Sequence, residues 1–211
     1  MPRPVFISLD GLDGTGKSTQ CRLLVDWLRG RGREAILCAD PGSTPVGQEI
    51  RELLLHRRQE MVPACEAFLF MASRAQLTAE IIQPALAAGR DAVTDRYLLS
   101  NIVYQGHAGG LPVDRLWEIG RLATGGLEPH LSLVLDLPVE TALKRRAGAA
   151  DRVESRDTNY HARVRSGFLL EARRRPDRIC VIDAQKSVDE VHEQICRQAE
   201  RIIEMNAPGR Q

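Results

Sequence analysis

The chain has 211 residues, and its 29 Lys and Arg side chains against 28 Asp and Glu give a formal net charge of +1. This balance argues against a general nucleic-acid coat or a polybasic membrane anchor, and 43% hydrophobic residues argue against a disordered chain. No apolar run approaches the ~20 residues that a membrane span needs. The start of the chain lacks the pattern of a secretory signal, and the scattered cysteines form no CxxC pair, so we expect a cytoplasmic protein without nucleic-acid or membrane partners.

Short β-branched segments alternate with longer helical patterns. The segments that predict strands are 5–9, 35–38, 91–95, 131–137 and 179–182. Helical patterns cover 18–29, 45–56, 63–88, 98–104, 113–124, a stretch that follows the fourth strand and ends at about 146, 159–175 and 188–205. Strands separated by helices predict an α/β fold, with a five-stranded parallel sheet and helices on both faces. No linker or repeat interrupts the pattern, so we expect a single domain over 1–211.

The segment 11–18 reads GLDGTGKS and matches the pattern G-x-x-x-x-G-K-[ST]. Glycines allow successive backbone N–H groups to surround an anion, Lys17 can reach the β- and γ-phosphates, and Ser18 can ligate Mg²⁺. A glycine-rich turn with a chance Lys-Ser is the alternative, but this segment follows a predicted strand and opens a predicted helix. The sequence therefore predicts a P-loop NTPase fold that binds ATP through Gly11, Leu12, Asp13, Gly14, Thr15, Gly16, Lys17, Ser18 and Thr19.

Other features narrow the class of P-loop protein. A GTPase would carry an Asn-Lys-x-Asp motif, which none of the three lysines provides. A motor or transporter ATPase would need a longer chain. The size, the phosphate loop and arginines spread over several loops favour a small-molecule kinase. A regulatory protein that binds nucleotide without turning it over remains an alternative, and a nucleic-acid-dependent ATPase is disfavoured by the neutral charge.

Several segments together resemble one family. They are FISLDGLDGTGKST at 6–19, DPGST at 40–44, EAFLFMASR at 66–74, DRYLLSNIVYQG at 95–106, DRVE at 151–154, RVR at 163–165 and IDA at 182–184. The set resembles the bacterial thymidylate kinases (dTMP kinases) over essentially the whole chain. The resemblance implies the reaction ATP + dTMP → ADP + dTDP in dTTP synthesis, with Mg²⁺ as cofactor, in a cytoplasmic homodimer. Another nucleotide or deoxynucleoside kinase with a different acceptor stays open as an alternative.

The resemblance implies how dTMP is bound. Phe70 would stack on thymine, and Arg74, one helical turn further, would donate to the pyrimidine O4. Asn101 and Gln105, also one turn apart, would read the base edge. Tyr104 would pack near the sugar 2′ position and exclude a ribose hydroxyl. From spacing alone, core aromatics and a surface arginine are the alternatives for these positions.

A second group of residues would contact the acceptor phosphate and sugar. Arg96 would orient the phosphate, because its fork suits that geometry better than Lys, and Arg51 is a second candidate. Ser100 would support the base contact. Asp13 and Asp40 would face the acceptor sugar or the metal, with an exposed acid as the alternative for Asp13.

On the donor side, the resemblance places Asp95 beside Ser18 near Mg²⁺ or its waters. Lys17, Arg96 and Asp13 are the predicted catalytic residues of the core of the site, and Ala184 and Gln185 are predicted to lie at the adenine. Because a phosphate group is already anionic near neutral pH, no strong general base is required.

A polar stretch at about 147–158 has no apolar stripe. Its own pattern favours an ordinary solvated loop over an arginine-bearing flap. The resemblance favours a short lid, because Thr15 places no cation in the phosphate loop and family members of this kind use lid arginines. Arg152 is then the predicted catalytic arginine of the lid. Ala39 and Ser43 depart from the family pattern, which usually has Arg and Gly there, and so leave acceptor geometry open.

Overall fold

The computed structural model describes residues 3–56, 60–146, 152–153 and 155–207. These residues form one sheet of five strands that pair in parallel in the order β2-β3-β1-β4-β5. The strands are β1 (Phe6–Gly11), β2 (Ala35–Ala39), β3 (Asp91–Asp95), β4 (Leu131–Asp136) and β5 (Ile179–Asp183). All five predicted strands are confirmed, as is the α/β fold class.

Helices connect every pair of consecutive strands. Within the described part of the chain, the α-helices are α1 (Lys17–Gly30), α2 (Pro45–Arg51), α3 (Pro63–Leu77), α4 (Gln83–Ala87), α5 (Leu98–Asn101), α6 (Val113–Ala123), α7 (Val139–Arg145), α8 (Thr158–Arg174) and α9 (Val188–Met205). Three further turns have π-helical hydrogen bonding: Glu52–His56 after α2, Thr78–Ile82 between α3 and α4, and Ile102–His107 after α5. Each predicted helical segment is confirmed, whereas the π turns were not predicted.

Both faces of the sheet are covered. Every residue of β1 is buried, and so are the first five residues of β4. Since successive strand residues point to opposite faces, a strand buried throughout must have packing partners on each side. The apolar runs in the sequence are therefore explained by burial on two faces.

The strand register brings distant parts of the chain to one edge. Leu9 of β1 and Ala39 of β2 are both aligned with Asp95 of β3. The residues that follow these three strands therefore emerge side by side at the carboxyl edge of the sheet, where α/β folds bind ligands. Among the described residues, no helix is both long enough and apolar enough to cross a membrane.

Candidate active site

A cleft of about 680 Å³ opens at this carboxyl edge, within the size range of small-molecule sites. Its walls contain Asp13, Gly14, Gly16, Lys17, Ser18, Thr19, Ala39, Asp40, Pro41, Gly42, Ser43, Arg51, Leu55, Phe70, Arg74, Asp95, Arg96, Ser100, Asn101, Tyr104, Gln105, Arg145, Arg146 and Val153. The cleft thus brings most residues predicted for the ATP site together with all of those predicted for the dTMP site. The predicted ATP residues Gly11, Leu12 and Thr15 lie behind its surface, as part of the loop framework.

Two glycines of the phosphate loop have no room for a side chain. A Cβ on Gly11 would lie 2.6 Å from the Leu135 carbonyl oxygen, and one on Gly14 would lie 2.2 Å from the Ala142 carbonyl oxygen. Both glycines also have positive φ angles, 139° and 84°. The loop is therefore pressed against the end of β4 and the backbone of α7, and only glycine permits that approach.

Lys17 lies at the first residue of α1 and is buried. Its Nζ donates to the Leu12 carbonyl oxygen at 2.8 Å and lies 3.6 Å from Asp13 Oδ1. Burial and the nearby Arg96 charge lower the pKa of the Lys17 ammonium, while Asp13 opposes that shift. The ammonium is thus held inside the loop, close to where a phosphate would enter.

The hydroxyl of Ser18 donates to Asp95 Oδ2 at 2.5 Å. This contact joins the two residues predicted to hold Mg²⁺, one from α1 and one from the end of β3. No cluster of three or more His, Cys, Asp or Glu side chains suited to a metal occurs in the described ranges. A hydroxyl and a carboxylate fit Mg²⁺ when phosphate and water oxygens complete its octahedral shell, as is usual for a metal that enters with a nucleotide.

Arg96 adopts a left-handed backbone conformation with φ of 70°, which is rare for a long side chain. Its Nη2 donates to Asp13 Oδ1 at 2.6 Å, and its Nη1 donates to the Gly11 carbonyl oxygen at 3.0 Å. The guanidinium also lies 4.9 Å from the centre of the Tyr104 ring. These contacts fix a cation between the phosphate loop and the acceptor side.

The charges of this cluster reinforce one another. Burial by itself would raise the pKa of the Asp13 carboxyl, but the Arg96 and Lys17 charges outweigh burial and hold that pKa well below its usual range. Asp13 in turn raises the pKa of Arg96 further above its usual value, against the effect of burial. The alternative of an exposed acid at Asp13 is therefore wrong, because this residue is half-buried and paired with Arg96.

Asp10 supports Arg96 from beneath and was missed by the sequence analysis. Its Oδ1 accepts a hydrogen bond of 2.6 Å from Ser100 Oγ, and Ser100 Oγ accepts one of 3.0 Å from Arg96 Nη1. Asp10 itself is fully buried on β1. Its position directly before the phosphate loop was the available signal, since a strand buried on both faces seldom carries an unpaired acid.

The deepest part of the acceptor side contains a buried ion pair. Arg74 Nε lies 2.6 Å from Asp40 Oδ2, and both residues are almost inaccessible to solvent. Burial raises the pKa of the Asp40 carboxyl, and the Arg74 charge counteracts that effect. The surface position left open for Arg74 is wrong, and the predicted pair of dTMP ligands is in direct contact.

Two amides continue from Arg74. Arg74 Nη1 donates to Asn101 Oδ1 at 2.9 Å, and Asn101 Nδ2 donates to Gln105 Oε1 at 2.7 Å. Gln105 Nε2 then donates to Glu66 Oε1 at 2.9 Å. Both amides line the cleft, so the predicted base-reading residues form one hydrogen-bonded row.

The two aromatic positions differ. Phe70 is half-buried on α3 and lines the cleft, so it is not a core residue. Tyr104 belongs to the hydrophobic core and also lines the cleft, and its hydroxyl accepts from Arg96 Nη2 at 3.2 Å. Burial raises the pKa of the Tyr104 hydroxyl, against the lowering effect of Arg96. Tyr104 is therefore a core residue that also faces the cleft.

The two departures from the family pattern, Ala39 and Ser43, lie at the end of β2 and in the turn that follows it. Ala39 N–H donates to Ser43 Oγ at 2.7 Å, so the serine hydroxyl closes the turn. Arg51 Nη1 donates to the Pro41 carbonyl oxygen at 2.9 Å, which holds the Arg51 side chain along the same turn. The Asp40–Pro41 peptide bond is cis. Arg51 therefore lines the cleft beside this turn.

The structure describes part of the predicted lid; its residues 147–151 and 154 lie outside the described ranges. Arg152 Nε donates to the Leu54 carbonyl oxygen at 2.8 Å, and its Nη2 lies 2.6 Å from Glu66 Oε2. Arg156 Nη2 donates to the same Glu66 oxygen at 2.7 Å. Arg152 is predicted to be catalytic, but in this structure it does not line the cleft.

Arg145 and Arg146 of the α7 end line the cleft instead. The Cγ of Arg146 lies 3.3 Å from the point that a Cβ on Gly14 would occupy, so this side chain rests against the phosphate loop. Arg145 Nη1 donates to the Ala184 carbonyl oxygen at 3.1 Å. Ala184 and Gln185, predicted for the adenine, follow β5 outside the cleft lining and are joined to it through Arg145.

Comparisons with known proteins converge on one family. A family model described as thymidylate kinase matches residues 9–195. A thymidylate kinase of Symbiobacterium thermophilum is 46% identical over 201 residues, which cover 94% of each chain. That of Kosmotoga olearia is 42% identical and covers 92% of this chain and 94% of its own. The crystal structure of a thymidylate kinase from Ehrlichia chaffeensis superimposes with a TM-score of 0.79 at 26% identity, covering 94% of this chain and 99% of its own.

Proposed function

The chain belongs to the thymidylate kinase family, and on that premise we propose that it transfers the γ-phosphate of ATP to dTMP and releases ADP and dTDP. One observation carries the proposal. A single cleft is lined both by the phosphate loop, through Gly14, Lys17 and Ser18, and by a buried polar pocket that contains Arg74. A donor and an acceptor bound there would meet at the end of β1.

Lys17 acts on the donor. Its ammonium, which bonds to the Leu12 carbonyl oxygen, pairs with the β- and γ-phosphate oxygens of ATP. Ser18 and Asp95 would hold Mg²⁺, and the metal would supply positive charge to offset the negative charge that develops on the phosphate oxygens. The protein contributes positioning and charge stabilisation rather than proton abstraction, because the attacking oxygen is already anionic.

Arg96 holds the acceptor phosphate in line with the donor. Its contacts to Gly11, Ser100 and Asp13 fix the guanidinium before substrate binds, so little orientation is lost on binding. Asp13 balances the charge of Arg96 and Lys17, and Arg51 supplies a second cation at the acceptor wall. This division leaves Tyr104 to fill the space beside the sugar.

The base lies against Phe70, with Arg74, Asn101 and Gln105 along its polar edge. Arg74 offers donors to a carbonyl oxygen, and each amide offers a donor and an acceptor, which suits the O4 and N3–H of thymine. Asp40 acts by holding Arg74. Arg152 is the proposed lid arginine; Arg156, which shares Glu66 Oε2 with it, keeps that carboxylate paired when Arg152 contacts the transferring phosphoryl group.

Assembly and location follow the same premise. We propose that residues 1–211 act as one kinase domain, with a lid at about 147–158, in a cytoplasmic homodimer. Phe68 on α3 and Leu122 on α6 are 54% and 82% exposed, and these two helices pack against each other, which offers an apolar surface to a second copy. All five cysteines are free thiols, as suits the cytoplasm. Light scattering coupled to size exclusion tests the dimer.

The test of function is ADP formation with Mg-ATP and a panel of acceptors: dTMP, dUMP, UMP, dCMP, dGMP, thymidine and none. We expect strong turnover with dTMP, weaker turnover with dUMP and little with the others. Turnover that prefers another nucleotide would keep the kinase chemistry and overturn the base assignments. ADP formation that does not depend on any acceptor would overturn the proposed function.

A further inference from the structure

Glu66, on α3, is a buried acid that none of the assignments above uses. It is 1% exposed, and its carboxylate has three partners: Gln105 on Oε1, and Arg152 and Arg156 on Oε2. It does not line the cleft. The residue therefore lies behind the base pocket and between that pocket and the described part of the lid segment.

The row of hydrogen bonds from Arg74 to Glu66 has a direction that its two ends impose. A guanidinium can only donate, and a carboxylate can only accept. With Arg74 at one end and Glu66 at the other, each amide between them has one possible orientation. Gln105 must turn its NH₂ toward Glu66, and Asn101 must turn its oxygen toward Arg74, which agrees with the contacts of 2.9 Å at both ends.

That direction decides what the pocket presents to a base. After these hydrogen bonds are made, each amide still has one N–H that can donate and an oxygen that can accept a second hydrogen bond. Both amides line the cleft. Thymine offers an acceptor at O4 and a donor at N3, whereas cytosine offers the reverse pattern at its amino group and N3. An amide that turned over would exchange donor for acceptor and would lose that distinction.

The two lid arginines hold the Glu66 carboxylate in place. Arg152 Nη2 and Arg156 Nη2 lie 2.6 Å and 2.7 Å from Oε2, so Oε1 is left to accept from Gln105. Without these arginines the carboxylate would be free to turn, and the row would lose the end that fixes its direction. Arg152 and Arg156 are therefore connected to the reading of the base although neither lines the cleft.

We propose that Glu66 is a specificity-determining positioning residue, which fixes the hydrogen-bond direction of Asn101 and Gln105 and is held for that task by Arg152 and Arg156. This inference rests on the proposed function, because it concerns how the same site selects its acceptor. It assigns to Glu66 no contact with substrate.

The test compares Glu66→Gln with Glu171→Gln. Glutamine has nearly the shape of glutamate but can donate, so it removes the imposed direction. Glu171 is equally buried at 1% exposure and is bonded to His107, Trp117 and Arg174 away from the cleft, so its variant controls for the loss of a buried charge. The readouts are the ratio of kcat/KM for dTMP to that for dCMP, the dissociation constants of both nucleotides by calorimetry, and Tm.

We expect Glu66→Gln to lower the dTMP-to-dCMP ratio by about tenfold or more, since a misdirected polar site loses its discrimination between bases. Glu171→Gln should leave the ratio within about twofold even where it lowers Tm. A folded Glu66→Gln enzyme with the wild-type ratio would overturn the proposal, and so would an equal loss in both variants.

Arg156→Gln provides a second route should Glu66→Gln fail to fold, because Arg156 is partly exposed and its loss leaves Arg152 on Glu66. We expect this variant to lower the ratio by about threefold, less than Glu66→Gln. An unchanged ratio in Arg156→Gln, with Glu66→Gln unfolded, would overturn the proposal. Failure of the proposed function is a separate result, because it would appear as absent dTMP turnover in the wild-type protein.

Discussion

On the donor side of the cleft, the groups proposed to contact phosphate belong to one contiguous loop, 11–18, whose shape depends on glycines pressed against the end of β4 and α7. On the acceptor side, the polar groups are side chains from α3, from the segment after β2 and from the π turn at Ile102–His107, and they hold one another through buried contacts. A backbone loop can be disturbed at one residue with local effect. A row of mutually dependent side chains should couple recognition to stability.

The largest effect should come from the donor side. Lys17→Ala removes the buried ammonium, and we expect kcat to fall by about 10³-fold, since one preorganised charge at the reacting group contributes that much. Binding of dTMP should stay within about twofold, because the acceptor contacts are untouched. Product formation at fixed times measures kcat, and calorimetry measures the binding of dTMP.

Lys144→Ala is the matched control for that experiment, since Lys144 is exposed and does not line the cleft. It should keep kcat within about twofold. A loss of dTMP binding in Lys17→Ala as large as its loss of kcat would show that the donor and acceptor sides are not separate.

The acceptor side should respond in stability as well as activity. Arg74→Met leaves the Asp40 charge buried without its partner, and we expect the free energy of unfolding in urea to fall by about 3–5 kcal/mol. Adding Asp40→Asn should recover about 1–2 kcal/mol, because the buried charge is then gone. Turnover of dTMP should stay low in both the single and the double variant. A double variant no more stable than Arg74→Met would contradict this account of the pair.

Substitutions of two arginines distinguish the donor side of the cleft from the acceptor side. Arg146 rests on the phosphate loop, so Arg146→Gln should lower kcat by about tenfold and leave the dTMP-to-dCMP ratio unchanged. Arg152 is bonded to Glu66, so Arg152→Gln should lower both kcat and that ratio. Steady-state kinetics with both acceptors checks this. If only Arg146→Gln changed the dTMP-to-dCMP ratio, the assignment of Arg146 to the donor side and of Arg152 to the acceptor side would be contradicted.

The smallest effect concerns pH. The pKa of Asp13 is lowered in the folded protein from its usual 3.8, so its ionised form adds stability above pH 3.8 that is lost as the pH falls toward the folded-state pKa. We expect Asp13→Asn to lower the free energy of unfolding by about 1–2 kcal/mol at neutral pH, with Arg96 left less compensated. Denaturant titrations should show this difference shrinking below pH 3.8. A difference that grows there would contradict the ion pair.

The same contrast explains what could be predicted from sequence. The strands and helices follow from hydrophobic periodicity and from Pro and Gly positions, and the phosphate loop is local in the chain, so both were predicted. The π turns were not, because a one-residue widening of a helix leaves no mark in the periodicity. One of them carries Tyr104 and Gln105.

Glu66 and Asp10 were missed for a different reason. Each lies on a buried element, and the partners that join it to the site come from positions far along the chain: Gln105, Arg152 and Arg156 for Glu66, and Ser100 for Asp10, whose other oxygen accepts from nearby Ser8. Helical spacing could place Arg74 and Phe70 on one face of α3, but it could not show that Arg74 is buried against Asp40. Contacts of that kind depend on the packing of the whole domain.

Direct transfer of a phosphoryl group from ATP to dTMP across this cleft can be followed with ATP labelled at the γ-phosphate, incubated with dTMP and Mg²⁺, with Lys17→Ala in parallel. We expect one labelled dTDP for each ADP formed and almost none with the variant. Label that appears as free phosphate at the rate of ADP formation, with dTDP absent, would contradict direct transfer.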